Sequence, residues 1–275
     1  MCSNVFHEYF MIKTFQSLTD AESLSVINRI AAAKTVECAW NRTVQALGKF
    51  GFERVNYGYT RYRVGRSIGP ADDAFFLSTH SPRKVKEFHD SGLYLKSADF
   101  RWVRENVGAC PWDWTRKERA AGRLSPEECA AMDALGAARR RAGYSISFPD
   151  GAPRSKGAMG MGCADGITQA QADAHWAEHG QKIMAIATMG HFKLSQLPLP
   201  VPGLHLTERQ REILCWIADG KTLQDITVLT GLALSTVEKY LRRARDELGV
   251  ETTAQAVVKA AFLNQLFTSS WQNLQ

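Results

Sequence analysis

The 275 residues hold no run of about 18 apolar positions, so no membrane-spanning helix is expected. The first residues, Met1 to Thr14, lack the basic start and apolar stretch of a signal peptide, which makes the cytoplasm the expected location. Cysteine is sparse and scattered: Cys2, Cys38, Cys110, Cys129, Cys163 and Cys215 form no C-x-x-C pair. They read as reduced, mostly buried thiols and give no disulfide framework or zinc site. G-x-S-x-G, P-loop and H-E-x-x-H motifs are absent, which argues against an enzyme. His175 and His179 stand four apart on a helical stretch, but no Glu follows the first and no third ligand is evident, so no metal is expected. Residues 1–150 also lack the alternating β/α spacing of a phosphorylation receiver.

What is present is an ordinary globular composition, 45% hydrophobic and 23% charged, at a length that favours two domains. The net charge is +6. From Leu204 onward there are eight Lys/Arg and eight Asp/Glu, so the excess lies in the first 203 residues and bulk charge does not itself argue for nucleic acid. Alternating prolines in Leu197-Pro198-Leu199-Pro200-Val201-Pro202-Gly203 remove backbone donors and stiffen the chain. The expected division is residues 1–194, a linker at 195–204, and 205–275.

In the first part a helical pattern covers Ala21 to Lys49, and Arg54 to Val64 reads as a strand. Ala74 to Thr79 is a short strand, followed by helical stretches at Arg83–Ser91 and Ala98–Asn106. Ser125-Pro126-Glu127-Glu128 is a helix start, and that helix is expected to reach Arg141. Arg139, Arg140 and Arg141 near its end fit dipole compensation and solvation. Tyr144–Phe148 and Gly157–Cys163 read as strands, and Thr168 to Leu194 as a long helix with candidate breaks at Gly180 and Gly190. Strands between helices suggest one sheet covered by helices.

In the last part Thr207-Glu208-Arg209-Gln210 is a capping box ahead of Ile213, Leu214 and Ile217, and Gly220 stops that helix. Thr222 opens a second helix and Gly231 makes a turn. A third helix turns Val237 and Leu241 inward and sets Ser235, Glu238, Lys239 and Arg242 on the opposite face, with Arg243 and Arg245 flanking it. A fourth runs from Thr253 to Leu266. Helix, glycine turn, helix is the geometry that lays one helix in the major groove, and the start of the preceding helix, with Lys221 and Thr222, suits a phosphate. On pattern alone, a small helical bundle with a solvated charged face is the alternative.

The run from Leu206 to Val250 resembles the LuxR-type helix-turn-helix, through Leu206-Thr207, Arg209, Leu214, Trp216, Gly220-Lys221-Thr222, Ile226, Thr236-Val237, Leu241 and Leu248-Gly249-Val250. It departs at Gln210, where Glu is usual, and at Ala233, where a capping Ser is common. The resemblance implies DNA contacts from Lys221, Thr222, Ser235, Thr236, Glu238, Lys239, Arg242 and Arg243. About residues 20–190 resemble the autoinducer-binding domain of quorum-sensing LuxR regulators. Asp99 and Trp114 have the spacing of that family's pocket Asp and Trp, with Pro111 between them, and Ala142 to Gly162 looks like its later strands and Gly-rich turn.

The family ligand is an acyl-homoserine lactone, whose amide N–H meets a carboxylate and whose carbonyls meet Trp and Tyr donors. Here Val85 (or Lys86) stands where the family has Trp, His89 where it has Tyr, Phe100 where Pro follows the Asp, and Ser145 where it has Gly. The candidate ligand-binding set is Asp99, Trp114, His89, Val85, Ser147 and Tyr57. The resemblance implies an α+β fold, with an N-terminal α/β/α sandwich around an antiparallel sheet and a C-terminal all-α four-helix domain. It implies a homodimer on a palindromic stretch of double-stranded DNA, controlled by a lactone or a divergent small molecule, with no cofactor. The alternative is an orphan regulator whose first domain binds no ligand and pairs with RNA polymerase or another regulator.

Overall fold

The structure, a computed structural model, describes residues 15, 17–65, 67–68, 74–135, 142–149, 151–199 and 206–266. It divides into two compact units, Met1–Leu194 and Ser195–Gln275.

The first unit opens with helices α1 (Asp20–Ala31) and α2 (Val36–Lys49). The single helical pattern expected there is cut because Thr35 acts as a second N-cap, its hydroxyl accepting from Cys38 N at 3.2 Å. Strands β1 (Phe52–Thr60) and β2 (Phe75–Ser78) follow, then α3 (Pro82–Ser91), a 3-10 turn (Leu93–Lys96) and α4 (Ala98–Glu105). Two elements come next that the sequence pattern did not announce, β3 (Gly108–Pro111) and α5 (Asp113–Ala120). The strand is too short to show alternation, and the helix is almost wholly polar. Helix α6 (Pro126–Leu135) begins where its capping signal predicts; residues 136–141, including the Arg139–Arg141 run, lie outside the described residues. Strands β4 (Gly143–Ser147) and β5 (Lys156–Cys163) lead into α7 (Gln169–Gln196).

Helix α7 runs unbroken through Gly180 and Gly190, contrary to the expectation of a break. A Cβ at Gly180 would stand 2.8 Å from the Trp176 indole nitrogen, and one at Gly190 would stand 2.7 Å from the Thr43 side chain. Both glycines therefore serve close packing.

The five strands form one antiparallel sheet in the order β2-β1-β5-β4-β3. Alternation divides its two faces. Val55, Tyr57, Tyr144, Ile146, Phe148, Met159 and Met161 are buried on the face that packs on α7. There the Tyr144 ring stacks on Trp176 at 4.0 Å and Phe148 on His191 at 4.4 Å. Within this layer Tyr57 Oη bonds His191 Nδ1 at 2.9 Å, and Tyr144 Oη donates to Asp173 of α7 at 2.5 Å. Burial, with Lys156 nearby, depresses the His191 pKa to about 4, and burial pushes that of Tyr57 well up. The opposite face receives α4 and α5: Ser147 Oγ donates to backbone oxygens at the end of α4, and Trp112 lies on the strands just ahead of α5. Helix, sheet and helix form the expected three-layer α+β arrangement.

The second unit contains α8 (Glu208–Ala218), α9 (Leu223–Thr230), α10 (Leu234–Leu248) and α11 (Thr253–Phe262). Thr207, Thr222 and Thr252 each close a capping box, with Gln210, Asp225 and Gln255. Ile213, Leu214, Ile226, Val237, Leu241, Ala244, Leu248, Ala256 and Ala260 fill the core. Gly231 turns the chain between α9 and α10 at φ +70°, where a side chain would be strained. The described part of the proline-containing stretch is held against the end of α11. Leu199 N donates to Leu263 O at 3.0 Å, and Asn264 Nδ2 donates to the carbonyls of Ser195 and Leu197 at 2.7 and 2.9 Å.

Candidate functional site

In the first unit, side-chain accessibility marks the more open face of the sheet. On the face toward α4 and α5, Asn56, Gly58, Ser145, Ala158 and Gly160 are only half-buried, while their neighbours on the α7 face are fully buried. Strand register aligns five residues in one row across the sheet: Ser78, Asn56, Gly160, Ser145 and Cys110. Glycine at the middle of the row makes room for the Trp112 indole, whose ring would lie 3.9 Å from a Cβ at Gly160.

Trp112 covers this part of the sheet. Its indole rests on Gly143, Gly160 and Gly162, and a Cβ at Gly143 or Gly162 would come within 2.7 or 3.1 Å of the ring. Trp112 Nε1 donates to Ser145 Oγ at 3.0 Å, and its backbone N–H extends the ladder to Gly143 O at 2.9 Å. Three residues on, and so on the same side of α5, Thr115 Oγ1 donates to Asp99 Oδ1 at 2.8 Å. One turn of α5 thus carries both the tryptophan over the sheet and the partner of the α4 carboxylate. At the sheet's other edge Ser78 Oγ takes the His80 N–H and donates to Asn56 Oδ1 at 2.6 Å.

The sequence-predicted ligand residues are distributed unevenly around this space. Asp99 sits in the first turn of α4, joined to α5 through Thr115. Ser147 is on the same sheet face but wholly buried, its hydroxyl directed to Val103 O and Asn106 O. Val85 is on the half-buried side of α3, whereas Lys86 is 76% exposed and paired with Asp90 at 2.6 Å, which settles which of the two turns inward. His89 lies on α3. Trp114 is not brought to the sheet; its ring lies under the Arg101 guanidinium at 5.7 Å, and Arg101 pairs with Glu128 at 2.6 Å. Tyr57 stands on the opposite face, bonded to His191, because residue 57 has the parity of Val55 and not of Asn56. Thr115, Asn56 and Gly160 escaped the sequence reading. The i, i+3 pair Trp112/Thr115 and the alternating Gly160/Gly162 are the signals that could have found them.

His175 and His179 lie 4.6 Å apart ring to ring, with Phe15 stacked on His175 at 4.2 Å. They belong to the packing between α7 and its neighbours.

In the second unit, α10 buries Val237, Leu241, Ala244 and Leu248 and exposes Ser235, Glu238, Lys239, Arg242 and Arg243, with Thr236 half-buried. Among the described residues Lys239, Arg242 and Arg243 form no ion pair, so three cations stand on one open helical face. Ala233 caps this helix without a side-chain bond; Thr236 N and Val237 N instead turn back to its carbonyl at 2.9 and 3.1 Å. Lys221 and Thr222 are exposed at the start of α9, but the Thr222 hydroxyl is already engaged by Asp225 Oδ2 at 2.7 Å. These bonds hold the Asp225 carboxyl below its usual range, so a negative charge sits at the end of the helix where a phosphate was expected.

Comparison with known proteins follows the same division. Residues 35–194 match the family model described as the autoinducer binding domain, and residues 204–260 match that of bacterial regulatory proteins of the luxR family. The transcriptional activator protein BjaR1 of Bradyrhizobium diazoefficiens is 23% identical over 87% of this chain and 93% of its own. SolR of Ralstonia solanacearum, also a transcriptional activator protein, is 32% identical over 44% of this chain and 53% of its own. Among solved structures, Escherichia coli SdiA superposes over 90% of this chain and 98% of its own, at 16% identity and a TM-score of 0.47.

Proposed function

Since this chain belongs to the LuxR-type regulators that carry an autoinducer-binding domain, we propose that a small molecule held between the sheet and helices α4 and α5 controls its binding to DNA. The chain is a DNA-binding transcriptional regulator and not an enzyme. The finer reading is that residues 1–194 sense the ligand and dimerise, and that 205–275 read a palindromic operator as a homodimer. The observation that carries it is the open face of α10, where Lys239, Arg242 and Arg243 stand exposed above a core of Val237, Leu241, Ala244 and Leu248. A helix so built can enter a major groove, with its cations on phosphates or base edges.

In-vitro selection of duplex DNA by the full-length protein tests the reading. A recovered palindrome with half-sites about one helical turn apart supports it; unselected binding to every duplex would refute it. One observation favours a ligand-independent alternative, in which the first domain works through RNA polymerase or another regulator. The exposed Lys86–Asp90 pair occupies the stretch where the family carries aromatic donors. Native mass spectrometry of protein expressed with and without bacterial culture extract separates the two, through the presence or absence of a stoichiometric small molecule on the purified chain.

A further inference from the structure

The end of α11 carries an inference about operator choice that rests on the homodimer reading above. The helix stops in a left-handed residue, Asn264 at φ +53°, with Asn264 N–H reaching Ala261 O and Gln265 N–H reaching Ala260 O. Both residues lie past residue 260, where the luxR-family match stops. The turn aims their side-chain amides at residues 195–199. Asn264 Nδ2 donates to Ser195 O at 2.7 Å and Leu197 O at 2.9 Å, Gln265 Nε2 donates to Leu199 O at 3.2 Å, and Leu199 N–H returns to Leu263 O at 3.0 Å. The proline-containing sequence suits this clasp. Pro198 and Pro200 bias the residues before them, Leu197 and Leu199, to extended backbone. Leu197 and Leu199 are buried, with Pro198 exposed between them.

These bonds take up the chain where the two units meet in sequence, since the first ends at Leu194 and the second begins at Ser195. Closed, the clasp holds residues 195–199 as part of the second unit and not as tether. Open, it adds those residues to the tether, worth up to about 17 Å of reach. In a homodimer two such releases give up to about 34 Å. Five base pairs added between half-sites move them about 17 Å further apart and turn them by about half a helical turn. Tether length thus decides whether both half-sites can be held at once. We propose that Asn264 and Gln265 are positioning residues that fix the half-site separation the protein accepts, by keeping residues 195–199 bound to the end of α11. Their effect comes through the length of free chain, without contact to a base.

Three duplexes test this with full-length protein, followed by fluorescence anisotropy: the selected operator, the same operator with five base pairs inserted between its half-sites, and a single half-site. Native protein is expected to bind the lengthened duplex at least tenfold more weakly than the selected one. Asn264→Asp accepts the same left-handed backbone but sets a carboxylate against two carbonyls where a donor stood. In that variant the ratio should narrow to within about threefold. Gln265→Glu opens the second arm of the clasp and should narrow the ratio in the same direction. A misfolded variant, or the added negative charge, weakens binding to both duplexes together and leaves their ratio unchanged. A ratio unmoved in both variants, or equal binding of the two duplexes by native protein, overturns the assignment and leaves the homodimer reading intact. Native binding to the single half-site as tight as to the pair overturns the homodimer reading, and this inference with it.

Discussion

His191 and Gly157 make a residue-scale test of the buried layer. A Cβ at Gly157 would lie 2.3 Å from the His191 ring, which is itself stacked on Phe148 and bonded to Tyr57. The ring cannot yield without breaking one of those contacts, so Gly157→Ala is expected to destabilise the chain by about 1–3 kcal/mol, read from urea unfolding. His191 also sets a pH dependence. Its pKa falls from an ordinary 6.5 to about 4 because the charged form is buried, with Lys156 near it. The unfolded chain therefore takes up the proton first as pH drops. The stabilising contribution is full above about pH 6.5, is lost as pH falls toward 4, and amounts to on the order of 3 kcal/mol. Stability of native and His191→Phe protein, compared from pH 7 to 4.5, should diverge by less at the acid end. The variant loses the Tyr57 bond at all pH values, and pairing it with Tyr57→Phe is expected to recover part of that loss.

At the scale of elements, the second unit was the more legible from sequence. Its helices carry their limits in their own residues: Thr207 with Gln210, Thr222 with Asp225, and Gly231 at a left-handed turn all act locally. The sheet was readable only in part, because β3 is four residues long and α5 lacks an apolar stripe, so neither shows a period. Site residues were harder again. One position of parity separates Tyr57, packed on α7, from Asn56 on the open face, and only strand register decides between them. Two places round α5 separate Trp114, under Arg101, from Trp112, over the glycines. On α10, Lys239→Ala and Arg242→Ala should each weaken binding to the selected operator. A lost base contact costs about 1–3 kcal/mol and relaxes preference at one position, and a lost phosphate contact lowers the slope of affinity against salt. Full affinity and unchanged sequence preference in both would remove this face from the interface. Asp225→Asn is expected to strengthen DNA binding modestly, since it removes a negative charge from the start of α9 while keeping a capping side chain.

At the scale of the whole molecule, the described proline-containing stretch at the start of the second unit is less free than its prolines imply. Asn264, at φ +53°, spends its amide on Ser195 and Leu197, and Gln265 Nε2 adds a bond to Leu199 O at 3.2 Å. Asn264→Ala removes two donors and is expected to destabilise the second unit by about 1–2 kcal/mol, with earlier protease cleavage near residue 199. Asn264→Gly should cost less in backbone strain but lose the same bonds.

The pairing of β1 with β5 has a consequence for how the protein is made. The bond from Arg54 to the Cys163 carbonyl spans 109 positions, and among the described residues β1 lies between β5 and the edge strand β2. At about 5–20 residues per second, the ribosome finishes β5 some 5–20 s after β1 has been made. For that interval a strand bearing Phe52, Val55, Tyr57 and Tyr59 waits with one long edge unmatched. The second unit, whose contacts are local, is synthesised last and closes quickly. Yield of soluble chain should therefore turn on the fate of a nascent N-terminal half, in the window before its middle strand arrives.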